Sequence, residues 1–199
     1  GRRSILLRMD IAGRIAIVTG GASGIGRAVC QVLAEAGAGG VVIADIDARG
    51  AAETRARIEA ATTAEGLVVA TDVSDEDQVA GLIAATVERF GRIDILVNNA
   101  GICPMVAWDQ TDLVSWNRII AVNLTGAYLC CRAVLPHMRS RRYGRVVFIS
   151  SAGAFMGSVT GHVAYGAIFI GFGRSATTGA AGCPTGGTFT TGCRTARVM

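Results

Sequence analysis

Five short runs of apolar, largely β-branched residues recur along the chain, at 15–18, 41–44, 67–70, 93–97 and 146–149. Strands of four or five residues without polar alternation must be buried on both faces, which a parallel sheet covered by helices on each side provides. The stretches between the runs carry helical spacing. Ile25, Ala28, Val29, Val32, Leu33 and Ala36 mark a helix that stops at Gly37. Residues 47–61 are rich in Ala, Glu and Arg, and Ser74 with Asp77 forms a capping-box-like start to a helix that reaches Phe90 and ends at Gly91. Thr111 or Asp112 caps a long helical stretch to about Arg139. The class is α/β, a doubly wound parallel sheet. A length of 199 residues suits one domain, and 51% hydrophobic with 17% charged residues excludes a disordered chain. No continuous apolar run reaches the roughly 18 residues of a membrane span, so no membrane partner is expected.

The first strand and first helix are joined by Thr19-Gly20-Gly21-Ala22-Ser23-Gly24-Ile25-Gly26. Glycines at such a junction let the chain turn sharply and let a diphosphate approach the backbone, while the helix start offers free N–H groups to anionic oxygens. Asp45 ends the second strand 19 residues after Gly26, the distance expected of a carboxylate that holds an adenosine ribose diol. The same carboxylate repels a 2′-phosphate, which favours NAD over NADP. The competing reading of Asp45 is a solvated acid at a strand end.

These motifs make residues 10–167 resemble a classical short-chain dehydrogenase/reductase, with a Rossmann-like sheet in the order 3-2-1-4-5. Within the cofactor loop the resemblance points to Gly20, Ser23, Gly24, Ile25 and Gly26. Asn98-Asn99-Ala100-Gly101 after the fourth run is similar to the family's NNAG signature, which implies that Asn99, Ala100 and Gly101 lie near the nicotinamide ribose. Asp72-Val73 matches the pair that contacts adenine. Val122-Asn123-Leu124 matches the segment with the catalytic asparagine, Ser150-Ser151 the serine after the fifth strand, and Tyr165 the tyrosine beyond it. The resemblance implies that Tyr165 exchanges a proton with the substrate oxygen, Ser151 hydrogen-bonds that oxygen and Asn123 holds a relay water. It implies an oxidoreductase moving hydride between NAD(H) and an alcohol or ketone, and homo-oligomers as the family's usual state.

One departure bears on activity. The family pattern is Tyr-x-x-x-Lys, and Phe169 stands at the lysine position in a chain with no lysine at all. An unperturbed tyrosine titrates near a pKa of about 10. Phe169 can neither lower that value nor bind the nicotinamide ribose. Arg174 lies nine residues on, about half a turn round the helix. The alternative function is therefore an inactive NAD-binding fragment.

The segment layout follows. Residues 1–9 read as extraneous, 10–174 as the dinucleotide-binding domain, and 175–199 as an aberrant tail rich in Gly, Thr and Ala. Such a tail has the look of a truncated or frame-shifted end. It is expected to leave the sheet incomplete at its C-terminal strands, with the fifth strand as an open edge and homo-oligomers in doubt.

Charge and cysteines settle the remaining expectations. All fifteen acidic residues and ten arginines lie in 1–112, a net −5, while 113–199 holds nine arginines and no acid, a net +9. These arginines are scattered except for Arg139, Arg141, Arg142 and Arg145 at a helix end, where cations suit the dipole, so no nucleic-acid partner is expected. Six cysteines without a CxxC pair and only two histidines give no metal site and read as free thiols of a cytoplasmic protein.

Overall fold

The computed structural model describes residues 11–104, 110–151 and 194–197. The strands are β1 Ile15–Thr19, β2 Gly40–Asp45, β3 Glu65–Ala70, β4 Ile95–Asn98, β5 Arg145–Phe148 and β6 Arg194–Arg197. They form one sheet in the order β3-β2-β1-β4-β5-β6, with the first five parallel. The helices are α1 Gly24–Glu35, α2 Ala48–Ala61, α3 Glu76–Phe90, α4 Leu113–Ile120 and α5 Gly126–Ser140, the last two joined by a π-helical turn, Ala121–Thr125.

Strand alternation sends side chains into two separate cores. Ala16, Val18, Val41, Ile43, Ile95 and Val97 pack with Cys30, Leu33 and Ile58 of α1 and α2. Ile17, Val42, Ala44 and Leu96 pack on the other face with Leu82, Ile83, Leu129, Val134 and Met138 of α3 and α5. Both faces being covered explains why the strands read as unbroken apolar runs.

Two local expectations are corrected. Asp75, not Ser74, caps α3, accepting from the N–H groups of Asp77 and Gln78. Ser74 is held instead by Asp72, to which its N–H and hydroxyl both donate. The tail does not leave β5 bare: β6 pairs with it antiparallel, Val146 opposite Ala196 and Phe148 opposite Arg194. The parallel part of the sheet still stops at five strands among the described residues.

Leu113–Ser140 is long and apolar enough to cross a membrane by length and composition, although its apolar residues are spaced rather than contiguous. Its buried side chains, among them Ile119, Val122, Leu129, Val134 and Met138, follow helical spacing along one side. Arg118 and Arg132, along the same helical stretch, pair with Asp72 and Glu76. Packing against the sheet accounts for the apolar stripe.

Candidate functional site

In a doubly wound sheet the crevice opens at the carboxyl ends of the strands, where the strand order reverses. Here that point lies between β1 and β4, and the two exits are stitched together by Thr19. Its hydroxyl, 1% exposed, accepts from the N–H groups of Asn99 (3.0 Å) and Ala100 (3.1 Å) and donates to the Val97 carbonyl. Asn99 answers with its own side chain, whose Nδ2 donates to the carbonyls of Thr19 (3.0 Å) and Gly20 (3.1 Å). Asn99 thus braces the glycine loop from the β4 side.

The loop is cut to leave no room for side chains. A Cβ on Gly26 would overlap the Gly20 carbonyl, and one on Gly20 would stand 2.8 Å from Asn99 Nδ2. Gly20 and Gly24 take positive φ values of 68° and 51°. Ser23 sits at the N-cap of α1 in extended backbone, yet its side chain makes no capping bond and no acidic residue occupies the first turn. The positive end of the helix dipole is left for an external anion.

Asp45 is half-buried at the end of β2, with both carboxylate oxygens oriented by backbone. Oδ2 accepts from Ala22 N–H at 2.9 Å, and Oδ1 from Asp47 N–H at 3.0 Å. Asp72, beyond β3, is engaged differently, by Ser74 and by Arg118 Nη2 at 2.9 Å. Burial works to raise its carboxyl, but the bonds from Ser74 and the Arg118 guanidinium outweigh it and hold the group below the usual carboxylate value. Val73 is buried against Gly126, at the start of α5. Thr19, Val73, Asn98, Ala100, Gly126 and Ala127 line a cleft with no space for a water molecule.

Asn123 lies in the π-helical turn and is 8% exposed. Its side chain pairs with the backbone of Ile102, one residue past Gly101. Ser151 lies half-buried just beyond β5, two residues after Ile149, whose N–H donates to the Asn98 carbonyl at 2.9 Å. The exits of β4 and β5 are therefore adjacent. The structure gathers the glycine loop, Asp45, Asp72-Val73, Asn99–Gly101, Asn123 and Ser151 along one edge of the sheet. Tyr165 and Phe169 lie outside the described residues, as do Met105 to Trp108 of the apolar stretch after the NNAG signature.

A family model for short chain dehydrogenases matches residues 14–168. The chain belongs to the short-chain dehydrogenase family. It is 46% identical over 142 residues to cis-4-hydroxycyclohexanecarboxylate dehydrogenase of Sinomonas cyclohexanicum, covering 70% of this chain and 55% of the relative. It is 40% identical over 145 residues to an uncharacterized oxidoreductase of Thermotoga maritima, covering 73% and 56%. Among solved structures, a putative short-chain alcohol dehydrogenase from Sinorhizobium meliloti superposes with a TM-score of 0.77 at 38% identity, covering 82% of this chain and 64% of that one. NAD+-bound xylitol dehydrogenase gives 0.77 at 29% identity, covering 83% and 64%. The chain thus spans a little over half the length of the curated relatives it matches.

Several residues that shape the site escaped the sequence reading. Thr19 was legible as the first residue of the glycine motif, but not as the group that joins the exits of β1 and β4. Arg118 and Ile102 act across the fold on Asp72 and Asn123, and nothing local in the sequence marks them.

Proposed function

We propose that this chain binds NAD(H) in preference to NADP(H), in a site built for hydride exchange with a small alcohol or ketone. The observation that carries the reading is Asp45, a carboxylate fixed by two backbone N–H groups beside the glycine loop. An ionised carboxylate has about four acceptor positions, so two remain for the paired hydroxyls of a ribose, and its charge opposes a phosphate there. The cofactor fits the residues present. Gly20 and Gly26 form a cradle that any Cβ would fill, and α1 presents an uncapped N-terminus to a diphosphate. Ser23, Gly24 and Ile25 lie at that helix start, Asp72-Val73 on the adenine side, and Asn99, Ala100 and Gly101 on the nicotinamide side. When bound, the nicotinamide supplies the hydride acceptor or donor.

The chain's own groups then hold the substrate and its proton. The Asn123 amide is spent on Ile102, so the group this turn offers to a relay water is a main-chain carbonyl. A π-helical turn supports that assignment, because its wider spacing leaves carbonyls without intrahelical donors. Ser151 donates to or accepts from the substrate oxygen, and Tyr165 Oη carries the proton. The buried or half-buried thiols Cys30, Cys130 and Cys131 suit a reducing compartment, and we place the protein in the cytoplasm.

A second reading rests on Phe169, which stands where the family has lysine. Without that cation nothing in the pattern brings the Tyr165 hydroxyl toward neutrality, and the chain would bind NAD(H) with little turnover. Calorimetric titration tests the first reading. NADH should bind at least about tenfold tighter than NADPH, about 1.4 kcal/mol, and Asp45→Ala should bring the two together. Equal affinities in the unaltered chain overturn it. Turnover separates the two readings: the unaltered chain should run at least about a hundredfold slower than one with Tyr-x-x-x-Lys rebuilt. Measurable turnover lost in Tyr165→Phe would remove the second reading.

A further inference from the structure

Behind the glycine loop, on the side away from the crevice, α1 and α2 meet through a buried polar knot. Thr54 of α2 is fully buried. Its hydroxyl accepts from Arg27 Nε at 2.9 Å, which turns the hydroxyl proton away from the arginine and toward three carbonyls. These are Gly21 at 2.9 Å, Gly50 at 3.1 Å and Ala22 at 3.5 Å. Arg27 Nη2 donates to the Ala22 carbonyl as well, and to that of Gly50 at 3.2 Å. Its charge is met by Glu53 at 3.4 Å. The start of α2 is seated directly against the loop, since a Cβ on Gly50 would stand 2.6 Å from Asp47 Oδ2 and 3.0 Å from the Ala22 carbonyl.

Ala22 is the node of this arrangement. Arg27 grips its carbonyl, and Thr54 holds, at 2.9 Å, the Gly21 carbonyl of the same peptide group whose Ala22 N–H points the other way and holds Asp45 Oδ2. We propose that Arg27 and Thr54 are positioning residues for cofactor discrimination, setting the orientation of the Asp45 carboxylate through Ala22. Neither residue touches the cofactor. Releasing the Ala22 carbonyl frees the residue to rotate, which removes one of the two N–H groups that fix Asp45. A carboxylate held by Asp47 N–H alone swings, so it grips the ribose diol less well and opposes a 2′-phosphate less. The hydroxyl alone would be unremarkable, because a helical threonine commonly bonds the carbonyl four residues back. The reach to Gly21 and the arginine bond on its oxygen are what tie it to the loop.

This inference rests on the reading of Asp45 as the ribose-binding group, and one set of titrations separates the two. NADH and NADPH affinities are measured by calorimetry for the unaltered chain and for Thr54→Val, Thr54→Ser and Arg27→Gln, with thermal melts beside them. Thr54→Val and Arg27→Gln should each lower the NADH-to-NADPH preference at least about threefold, and Thr54→Ser should stay within about twofold of the unaltered chain. A merely structural knot would lower the melting temperature and weaken both cofactors together, leaving the ratio where it was. An unchanged ratio in a folded Thr54→Val or Arg27→Gln chain overturns the inference while the Asp45 reading stands. If either of these two fails to fold, the other decides. No NADH preference in the unaltered chain overturns both.

Discussion

Asn123 and Ile102 exchange a pair of hydrogen bonds: Ile102 N–H donates to Oδ1 at 2.8 Å, and Nδ2 donates to the Ile102 carbonyl at 2.9 Å. A side-chain amide here imitates a neighbouring strand. It ties the segment after β4 to the π-helical turn.

Asn123→Leu removes both bonds at once and leaves two backbone groups of Ile102 without partners. The cost should be about 1–3 kcal/mol in urea unfolding, with the slope unchanged. NADH affinity should fall with it, because Asn99–Gly101 lose their anchor. Wild-type stability in this variant would mean that water replaces the amide freely.

The glycines of the cofactor loop should separate into two kinds. Gly26→Ala drives a methyl into the Gly20 carbonyl and the Asn99 amide, an overlap expected to cost about 1–3 kcal/mol and to abolish NADH binding. Gly24→Ala meets nothing within 4 Å, so only its φ of 51° penalises it, by about 1–2 kcal/mol. NADH titrated against both variants distinguishes them. Retained binding in Gly26→Ala would show that the loop can open.

The Asp72–Arg118 pair predicts a pH signature. The folded-state value of Asp72 is lowered, so its contribution is complete above the ordinary carboxylate value and is lost as pH falls through the lowered one. Arg118 is about half exposed, so Arg118→Gln should cost only on the order of 0.5 kcal/mol at neutral pH. That difference should shrink to nothing as urea midpoints are followed from about pH 7 down to about pH 2. A difference that persists at the acid end would assign Arg118 a role other than pairing with Asp72.

Thiol labelling should be ordered by burial. Burial pushes the Cys30 and Cys130 thiols up to about 12, leaving a thiolate fraction on the order of one in ten thousand near pH 8. Cys103 is exposed in the segment after β4 and should be alkylated first. Peptide mapping after brief iodoacetamide treatment reads the order directly. Labelling of Cys30 at the rate of Cys103 would contradict its place in the α1 core.

The layered sheet was legible because burial on two faces leaves unbroken runs such as Val41–Ala44. Gly91 was legible as a helix stop and takes the left-handed conformation it needs, φ 69°. What sequence could not supply is contact between segments far apart in the chain. Arg27 and Thr54 sit on different helices, and each taken alone is an ordinary helix residue. The π-helical turn at Asn123 leaves no trace in the periodicity, since one extra residue in a turn is within the scatter of an apolar stripe. Ser74 and Asp75 are adjacent acceptors, and which one caps α3 depends on Asp72 having taken the serine. Arg194–Arg197 offers no apolar alternation by which its pairing with β5 could be read from sequence.

The direction of β6 bears on how the crevice could be extended. Every parallel strand sends its outgoing connection over the crevice, and specificity in such folds accumulates from those connections. β6 runs the other way, so Arg194, opposite Phe148, begins the strand at the crevice side and Arg197, opposite Arg145, ends it at the far side. The C-terminal end of β6 therefore lies beside the start of β5, on the edge of the sheet opposite the crevice.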